Sequence, residues 1–174
     1  MAEISANKTV EKKTPDKRQR ILLAAIKVFS IKGFHGSKVS DIAKEAGVAD
    51  GTIYLYFKNK DDILIQLFDE SLKVLLNDMN RALAKSNDPL ERIRIFIQMH
   101  LASVEKYQSV AEVMQLELRQ SHKFMNEQIP RRFTEYLNLI SETVQMGQRA
   151  GVIKQDLEPA MVKRAVFGAM DEIA

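Results

Sequence analysis

Three hydroxyl-bearing side chains stand close together in the first third of the chain, at Thr52, Tyr54 and Tyr56. They lie within the stretch GVADGTIYLYF, which otherwise has helical spacing. Ile53 and Phe57 are four residues apart, as on the inward face of a helix, so the hydroxyl-bearing side chains project outward. An exposed tyrosine suits DNA, because its ring packs on a sugar while its hydroxyl reaches a phosphate. The stretch therefore predicts a helix that contacts nucleic acid.

Positive charge is concentrated in the same part of the chain. Residues 1–60 carry 12 Lys and Arg against 6 Asp and Glu, whereas residues 61–174 carry 14 against 17. A basic first third before a mildly acidic remainder favours one part that faces nucleic acid and another with a different task. A basic segment that only adds solubility is the alternative. The arm over residues 1–14 is expected to be flexible, and its lysines either follow DNA or stay solvated.

A short amphipathic helix and a tight turn precede the hydroxyl-bearing stretch. Within VSDIAKEAGV, one helical face carries Val39, Ile42, Ala43 and Ala46, and Gly47 is suited to the positive φ of a sharp turn. Two short helices joined in this way predict a helix-turn-helix, whose second helix enters the major groove of DNA with its N-terminus first. The alternative is a helical hairpin that merely folds well, because such patterns are common.

The remaining sequence also has helical spacing, and no alternating strand pattern is present. We therefore expect an all-α fold of about eight helices. The first three helices are expected to run from Thr14 and Pro15 to Gly33, from Ser37 to Gly47, and from Ala49 to Phe57. The next two are expected from Asn59 to Asn87 and from Asp88 to Lys106. The last three are expected from Ser109, which forms a capping box with Glu112, to Ser121, from Pro130 to Gly151, and from DLEP onward.

Composition excludes several classes of protein. The chain has no cysteine, so a disulfide framework, a zinc ribbon and a thiol nucleophile are ruled out. No P-loop, dinucleotide fingerprint or nucleophile elbow is present, so an enzyme is the least supported class. His35, His100 and His122 lack metal-site spacing, and no cofactor is expected. Because there is neither a membrane-length apolar run nor the apolar centre of a signal peptide, we expect a cytoplasmic protein.

Beyond residue 60 the apolar residues suit an adaptable chamber. All seven methionines after the initiator lie there, and methionine fills irregular space around flexible ligands. Helical segments over 89–106, 109–121 and 130–150 add enough apolar surface for a core with a cavity. A plain core with methionine stripes is the alternative, and periodicity alone does not decide between them.

The stretch GFHGSKVSDIAKEAGVADGTIYLYFKNKDDIL, residues 33–64, resembles the DNA-binding domain of the TetR family of bacterial repressors. The resemblance implies a homodimer on a palindromic double-stranded DNA operator. It implies phosphate contacts from Ser37, Lys38, Thr52, Tyr54, Tyr56 and Lys60, with Gly51 at the groove and Asp50 and Leu55 near base edges. Ala49 and Asp50 depart from the common pattern. Asp50 either accepts from a cytosine amino group or caps its own helix.

Two further segments, QLELRQS and FGAMDE, resemble a subgroup that represses fatty-acid degradation and responds to long-chain acyl-CoA. The resemblance implies that the acyl chain would lie among Phe96, Met99, Met114, Leu118, Phe133, Leu137 and Ile140. The CoA phosphates would contact Arg119, Lys123, Arg131 or Arg132, since guanidinium groups bind phosphate oxygens in pairs. For Arg131, an exposed ion pair with Glu135 is the alternative.

The expected organisation has three parts: the arm at 1–14, a helix-turn-helix DNA-binding domain at 15–60, and a ligand-binding and dimerisation domain at 61–174. The chain ends at Ala174 within a helical pattern, so the C-terminal dimerisation helix is expected to be missing and dimerisation to be weak. Two alternatives to the acyl-CoA effector stay open. A sensor of cationic apolar compounds requires acidic groups in the pocket, such as Glu117, and a protein acting through a protein partner requires a filled core.

Overall fold

The computed structural model describes residues 16–120 and 131–173, and for residues 116–120 it describes the backbone alone. Over these residues the chain forms helices and no strands, which confirms the all-α prediction. The helices are α1 (Lys17–Gly36), α2 (Val39–Ala46), α3 (Asp50–Ile53), α4 (Lys60–Leu83), α5 (Pro89–Lys106), α6 (Gln108–Gln120), α7 (Arg131–Arg149) and α8 (Pro159–Ile173).

Several predicted helix boundaries are confirmed. Gly33, with φ of 69°, interrupts α1, and Gly47, with φ of 65°, ends α2 in the left-handed conformation that glycine adopts without strain. The Asn59 side chain caps α4 by accepting from the amide of Asp62 at 2.8 Å. Asp88 caps α5 in the same manner, with Pro89 as the first helical residue.

Other predicted boundaries are wrong by one to a few residues. The described part of α1 begins at Lys17, where the Asp16 carboxylate accepts from the amide of Gln19 at 2.7 Å, while Thr14 and Pro15 lie outside the described residues. Ser37 does not cap α2. Instead the Asp41 carboxylate accepts from the amide of Lys38 at 2.9 Å.

The third helix is also shorter than predicted. Regular α3 ends at Ile53, because the amides of Leu55 and Tyr56 bond to carbonyls only three residues back and so tighten the backbone into turns. Ala49 is the N-cap of α3 and no side chain caps it, so the predicted cap by Asp50 does not form. Helix α6 begins before Ser109, at Gln108.

Two hydrophobic clusters organise the described helices. The first cluster joins α1, α2, α3 and the start of α4, and it includes Val113 from α6. The second joins the rest of α4 to α5, α7 and α8, around Phe96, Tyr136 and Val144. Helix α4 passes through both clusters and spans roughly 36 Å at about 1.5 Å per residue. A rotation of α4 therefore moves the first cluster relative to the second.

Within residues 16–120 and 131–173, no helix is both long enough and apolar enough to cross a membrane.

Candidate DNA interface and effector cavity

The hydroxyl-bearing stretch forms one exposed surface on the first cluster. Ile53 and Phe57 are buried beneath it, as predicted from their spacing. Tyr54, Leu55 and Tyr56 are 58%, 79% and 39% exposed. We call the surface of residues 49–56 the reading surface. Because two buried anchors hold it from beneath, its side chains can bind a groove without rearrangement of the core.

The turn before the reading surface is held by helix α1. The Arg20 guanidinium donates to the carbonyl of Ala46 at 2.7 Å, at the C-terminus of α2. The next residue, Gly47, turns the chain into α3, and the amide of Val48 donates to the carbonyl of Ala43 at 3.0 Å. The Arg20 hydrogen bond thus ties α1 to the turn that precedes the reading surface.

Two other residues expected to contact phosphate have their polar groups bonded within the protein. Ser37 is buried, and its hydroxyl donates to the carbonyls of Gly33 and Phe34 at 2.7 and 2.9 Å. The Lys60 ammonium donates to the carbonyls of Phe34 and Ser37 at 2.6 and 2.9 Å. In this conformation both side chains hold the turn between α1 and α2 in place. Lys38, by contrast, is exposed.

A cavity of about 770 Å³ lies behind the first cluster, among α1, α4, α5, α6, α7 and α8. Its size falls in the range of about 300–1,000 Å³ that is usual for small-molecule sites. Apolar and aromatic side chains form most of its wall, among them Leu22, Leu23, Ile26, Leu67, Leu72, Val74, Leu75, Val104, Tyr107, Val110, Met114, Phe133 and Phe167. The arrangement suits a ligand with a substantial apolar portion.

One polar pair is embedded in this apolar wall. His100 Nδ1 lies 2.7 Å from the hydroxyl of Tyr136, which is fully buried. Burial lowers the pKa of His100, an effect that the negative charge of Asp171 partly opposes, and burial raises the pKa of Tyr136. Both groups are therefore neutral near pH 7 and hydrogen-bonded to each other, as buried polar groups require.

An acidic side chain also lines the cavity. Gln115 Nε2 donates to the carbonyl of Asp171 at 2.8 Å and to its carboxylate at 3.2 Å. Around them, Phe167 meets Phe133 and His100 edge to face, with ring centres 5.4 and 5.9 Å apart. The aromatic part of the wall thus contains the Asp171 carboxylate, and Asp16, Glu70 and Asp78 also line the cavity.

A second, smaller cleft of about 300 Å³ lies between α4 and α7. Most of the residues that line it are polar, among them Lys73, Asn77, Arg132 and Glu142. The larger cavity is the better candidate for an effector, because it is more than twice as large and its mostly apolar wall can bury a ligand.

Comparison with known proteins gives matches over nearly the whole chain. Residues 21–67 match the tetR family of bacterial regulatory proteins, and residues 68–174 match the C-terminal region of YsiA-like proteins. The chain belongs to the TetR family of bacterial regulatory proteins. It is accordingly a DNA-binding transcriptional regulator.

Two relatives refine this placement within the TetR family. The fatty acid metabolism regulator protein of Bacillus subtilis is 39% identical over 156 residues, which are 90% of this chain and 80% of that protein. The crystal structure of the transcriptional regulator FadR from B. subtilis in complex with stearoyl-CoA superposes with a TM-score of 0.83 at 39% identity, covering 88% of this chain and 83% of that one.

The fatty acid degradation regulator FadR from Bacillus halodurans gives a similar result. Its structure superposes with a TM-score of 0.85 at 38% identity, covering 93% of this chain and 84% of that one. The resemblance inferred from the sequence, to TetR regulators of fatty-acid degradation, is confirmed.

The structure brings together only part of the predicted effector set of this TetR chain. Met114 and Phe133 line the large cavity. Phe96 and Ile140 are buried in the second cluster, and the ring of Phe96 packs against Tyr136 with centres 4.9 Å apart. Met99 and Leu137 pack against the same cluster. Apolar periodicity identified all of them as inward-facing, but it does not distinguish a core from a cavity wall.

The predicted basic ligands are dispersed. Arg131 is exposed and forms an ion pair with Glu135 at 2.8 Å, which is the alternative to CoA binding that the sequence predicts for it. Arg132 pairs with Asp69 and lines the small cleft. The side chains of Leu118 and Arg119, and all of Lys123, lie outside the described residues, as does the side chain of Glu117.

Sequence reasoning missed most of the cavity wall. The sequence prediction gives no role to the α1 residues, Tyr136, Gln115 or Asp171, and it includes His100 only as a residue without metal-site spacing. One signal was available at Tyr136, because a tyrosine on the apolar face of a helix needs a buried hydrogen-bond partner. Within the described residues, no group of three His, Asp or Glu side chains is arranged to hold a metal ion.

Proposed function

We propose that this chain is a cytoplasmic repressor of fatty-acid degradation genes that leaves its palindromic DNA operator when a long-chain acyl-CoA enters the large cavity. The observation that carries the proposal is the cavity itself. It is mostly apolar, large enough for a ligand, and shares helix α1 with the first cluster, which supports the reading surface. No catalytic role is proposed for the chain, since its relatives are regulators.

The proposed DNA contacts are the half-buried Thr52 and the exposed residues of the reading surface and its approach: Lys38, Asp50, Gly51, Tyr54, Leu55 and Tyr56. The hydroxyls of Tyr54 and Tyr56 would bond phosphates, while Leu55 would contact a thymine methyl group. The space beside Gly51 is open, so the protein backbone can approach the DNA groove closely there. Ser37 and Lys60 would support this surface from within.

A homodimer would place two reading surfaces about one DNA turn, roughly 34 Å, apart. The exposed Met161 and Ile173 on α8 would contribute to the contact between the two copies. An effector that binds better to a second arrangement of the helices shifts the population toward it. A coupling free energy of about 1–3 kcal/mol between effector binding and operator binding suffices for release, because it changes operator affinity roughly 5- to 150-fold.

One observation favours a second candidate, a sensor of cationic apolar compounds. Asp171 lines the cavity next to the rings of Phe167, Phe133 and His100, and a carboxylate with aromatic faces suits a bulky cation. The protein-partner alternative is less favoured, because it requires a filled core.

The experiment is a titration of fluorescent upstream-region DNA with the protein at two salt concentrations, followed by addition of ligands. Stearoyl-CoA is compared with free CoA, free stearate and a cationic dye. We expect salt-dependent DNA binding that stearoyl-CoA alone reverses. Release by the dye alone would favour the cationic sensor. Release by no ligand would favour a protein partner, and absence of DNA binding would refute the repressor.

A further inference from the structure

One wall of the large cavity is made by the DNA-binding part of the chain. Leu22, Leu23 and Ile26 of α1 line it, opposite α4, α5 and α6. Leu22 is also a buried member of the first cluster and Ile26 packs against that cluster, alongside Ile21, Ala25 and Phe29 of the same helix. Helix α1 therefore contacts both the cavity and the core that supports the reading surface.

The opening of the cavity exposes apolar side chains from two helices and from the turn between α5 and α6. Leu23 of α1, Val74 of α4 and Tyr107 after α5 are 54%, 53% and 49% exposed, and all three line this one cavity. Single exposed apolar side chains are ordinary, but their convergence on one opening marks a surface that an apolar partner covers. From there the apolar wall continues to Phe133 and Phe167, so its shape suits an extended apolar chain.

We propose that α1 is itself part of the effector site, with the apolar chain of the ligand packed against Leu23 and Ile26. The proposal rests on the proposed function and names contacts for that same cavity. Hydrogen bonds connect the helix that makes this contact to the DNA-binding part of the chain. Arg20, on the same helix, holds the carbonyl of Ala46 at the end of α2, and the Arg18 guanidinium donates to Gln66 on α4 at 2.7 Å. A ligand that displaces α1 thus acts on the reading surface without first moving all of α4.

The natural absence of cysteine makes a direct test possible. Leu23→Cys and Val74→Cys each place one thiol at the cavity opening, on α1 and on α4. Ile31→Cys is the matched control, because Ile31 is an 82% exposed apolar residue of the same helix that does not line the cavity. The rate of maleimide labelling is measured with and without stearoyl-CoA, and binding of stearoyl-CoA is measured independently by calorimetry.

We expect stearoyl-CoA at about ten times its Kd to slow labelling of Leu23→Cys and Val74→Cys roughly tenfold, because the ligand-free fraction falls by that factor. Labelling of Ile31→Cys should not change. Protection of Val74→Cys without protection of Leu23→Cys would overturn the role of α1. Binding of stearoyl-CoA in calorimetry without protection of either thiol would also overturn it. Labelling of Leu23→Cys that slows with protein concentration alone would overturn it as well, because a second copy of the chain would then cover the opening.

Failure of the proposed function gives a different result. If calorimetry detects no stearoyl-CoA binding to the unsubstituted protein, the acyl-CoA effector is refuted, and the assignment of its contacts to α1 is refuted with it. If stearoyl-CoA binds and releases DNA while Leu23→Cys stays unprotected, the repressor function stands and only the α1 contact is lost.

Discussion

The Lys60 ammonium donates to the carbonyl of Phe34 at 2.6 Å and lies 4.4 Å from the centre of the same residue's ring. It also donates to the carbonyl of Ser37 at 2.9 Å. A single side chain thus fixes the start of α4 to the turn between α1 and α2. The Lys60 cation therefore links α4 to the DNA-binding part within the protein, although the family resemblance implies a phosphate contact at this position.

Lys60→Met is therefore expected to lower the free energy of unfolding by about 1–3 kcal/mol, since hydrogen bonds from a charged donor are lost. Urea unfolding measures the loss. The slope of log affinity against log salt should stay unchanged, whereas the exposed Lys38→Met should reduce its magnitude by about 2, about 1 for each copy in the homodimer, with little change in stability. A reduced slope with normal stability in Lys60→Met would instead identify Lys60 as a phosphate contact.

Tyr54→Phe and Tyr56→Phe are each expected to weaken operator binding by the homodimer roughly 5- to 150-fold, because each removes two hydroxyl hydrogen bonds of about 0.5–1.5 kcal/mol, one in each copy. Stability should be unaffected, since both side chains are exposed. Fluorescence anisotropy with operator DNA measures the affinity. Tyr107→Phe is the control, being similarly exposed but outside the reading surface. Unchanged affinity in all three variants would contradict the phosphate contacts.

Gly147→Ala is expected to destabilise the protein, although alanine favours a helix by about 1 kcal/mol. A Cβ at position 147 would lie 2.4 Å from Cδ1 of Ile153, so the side chain must move, at a cost of about 1–3 kcal/mol. Unfolding in urea measures the effect. The double variant with Ile153→Ala should lose less stability than the sum of the single variants. Additive losses would show that the clash is not with Ile153.

The protein is expected to lose stability as pH falls below 6.5, in part through His100. Its pKa is ordinarily 6.5 and is lowered by burial in the folded protein, so the unfolded chain takes up the proton first. At about one pH unit above 6.5 and higher, His100 is almost entirely neutral in both states and contributes little pH dependence. His100→Gln should therefore lose less stability than the unsubstituted protein between about pH 7.5 and pH 5.5. Equal losses in urea unfolding would exclude this contribution.

Features set by a few neighbouring residues were predictable from sequence. Gly33, Gly47 and Gly151 mark chain reversals because positive φ strongly favours glycine, and all three adopt it. Asn59 caps α4 through the amide three residues ahead. The burial of Ile53 and Phe57 beneath exposed tyrosines follows from helical spacing alone. The family motif of residues 33–64 rests on the same local pattern.

Features that depend on packing between distant segments were decided by the tertiary structure. The carbonyls that receive Lys60 lie 26 and 23 residues away, His100 meets Tyr136 across 36 residues, and Gln115 meets Asp171 across 56. Periodicity shows which face of a helix is apolar, but not whether that face meets another side chain or an empty cavity. For that reason the sequence by itself determined the helices, the turn and the reading surface of this regulator. Only the three-dimensional packing of the helices decided that Phe96 is core, that Phe133 lines a cavity, and that α1 forms one of its walls.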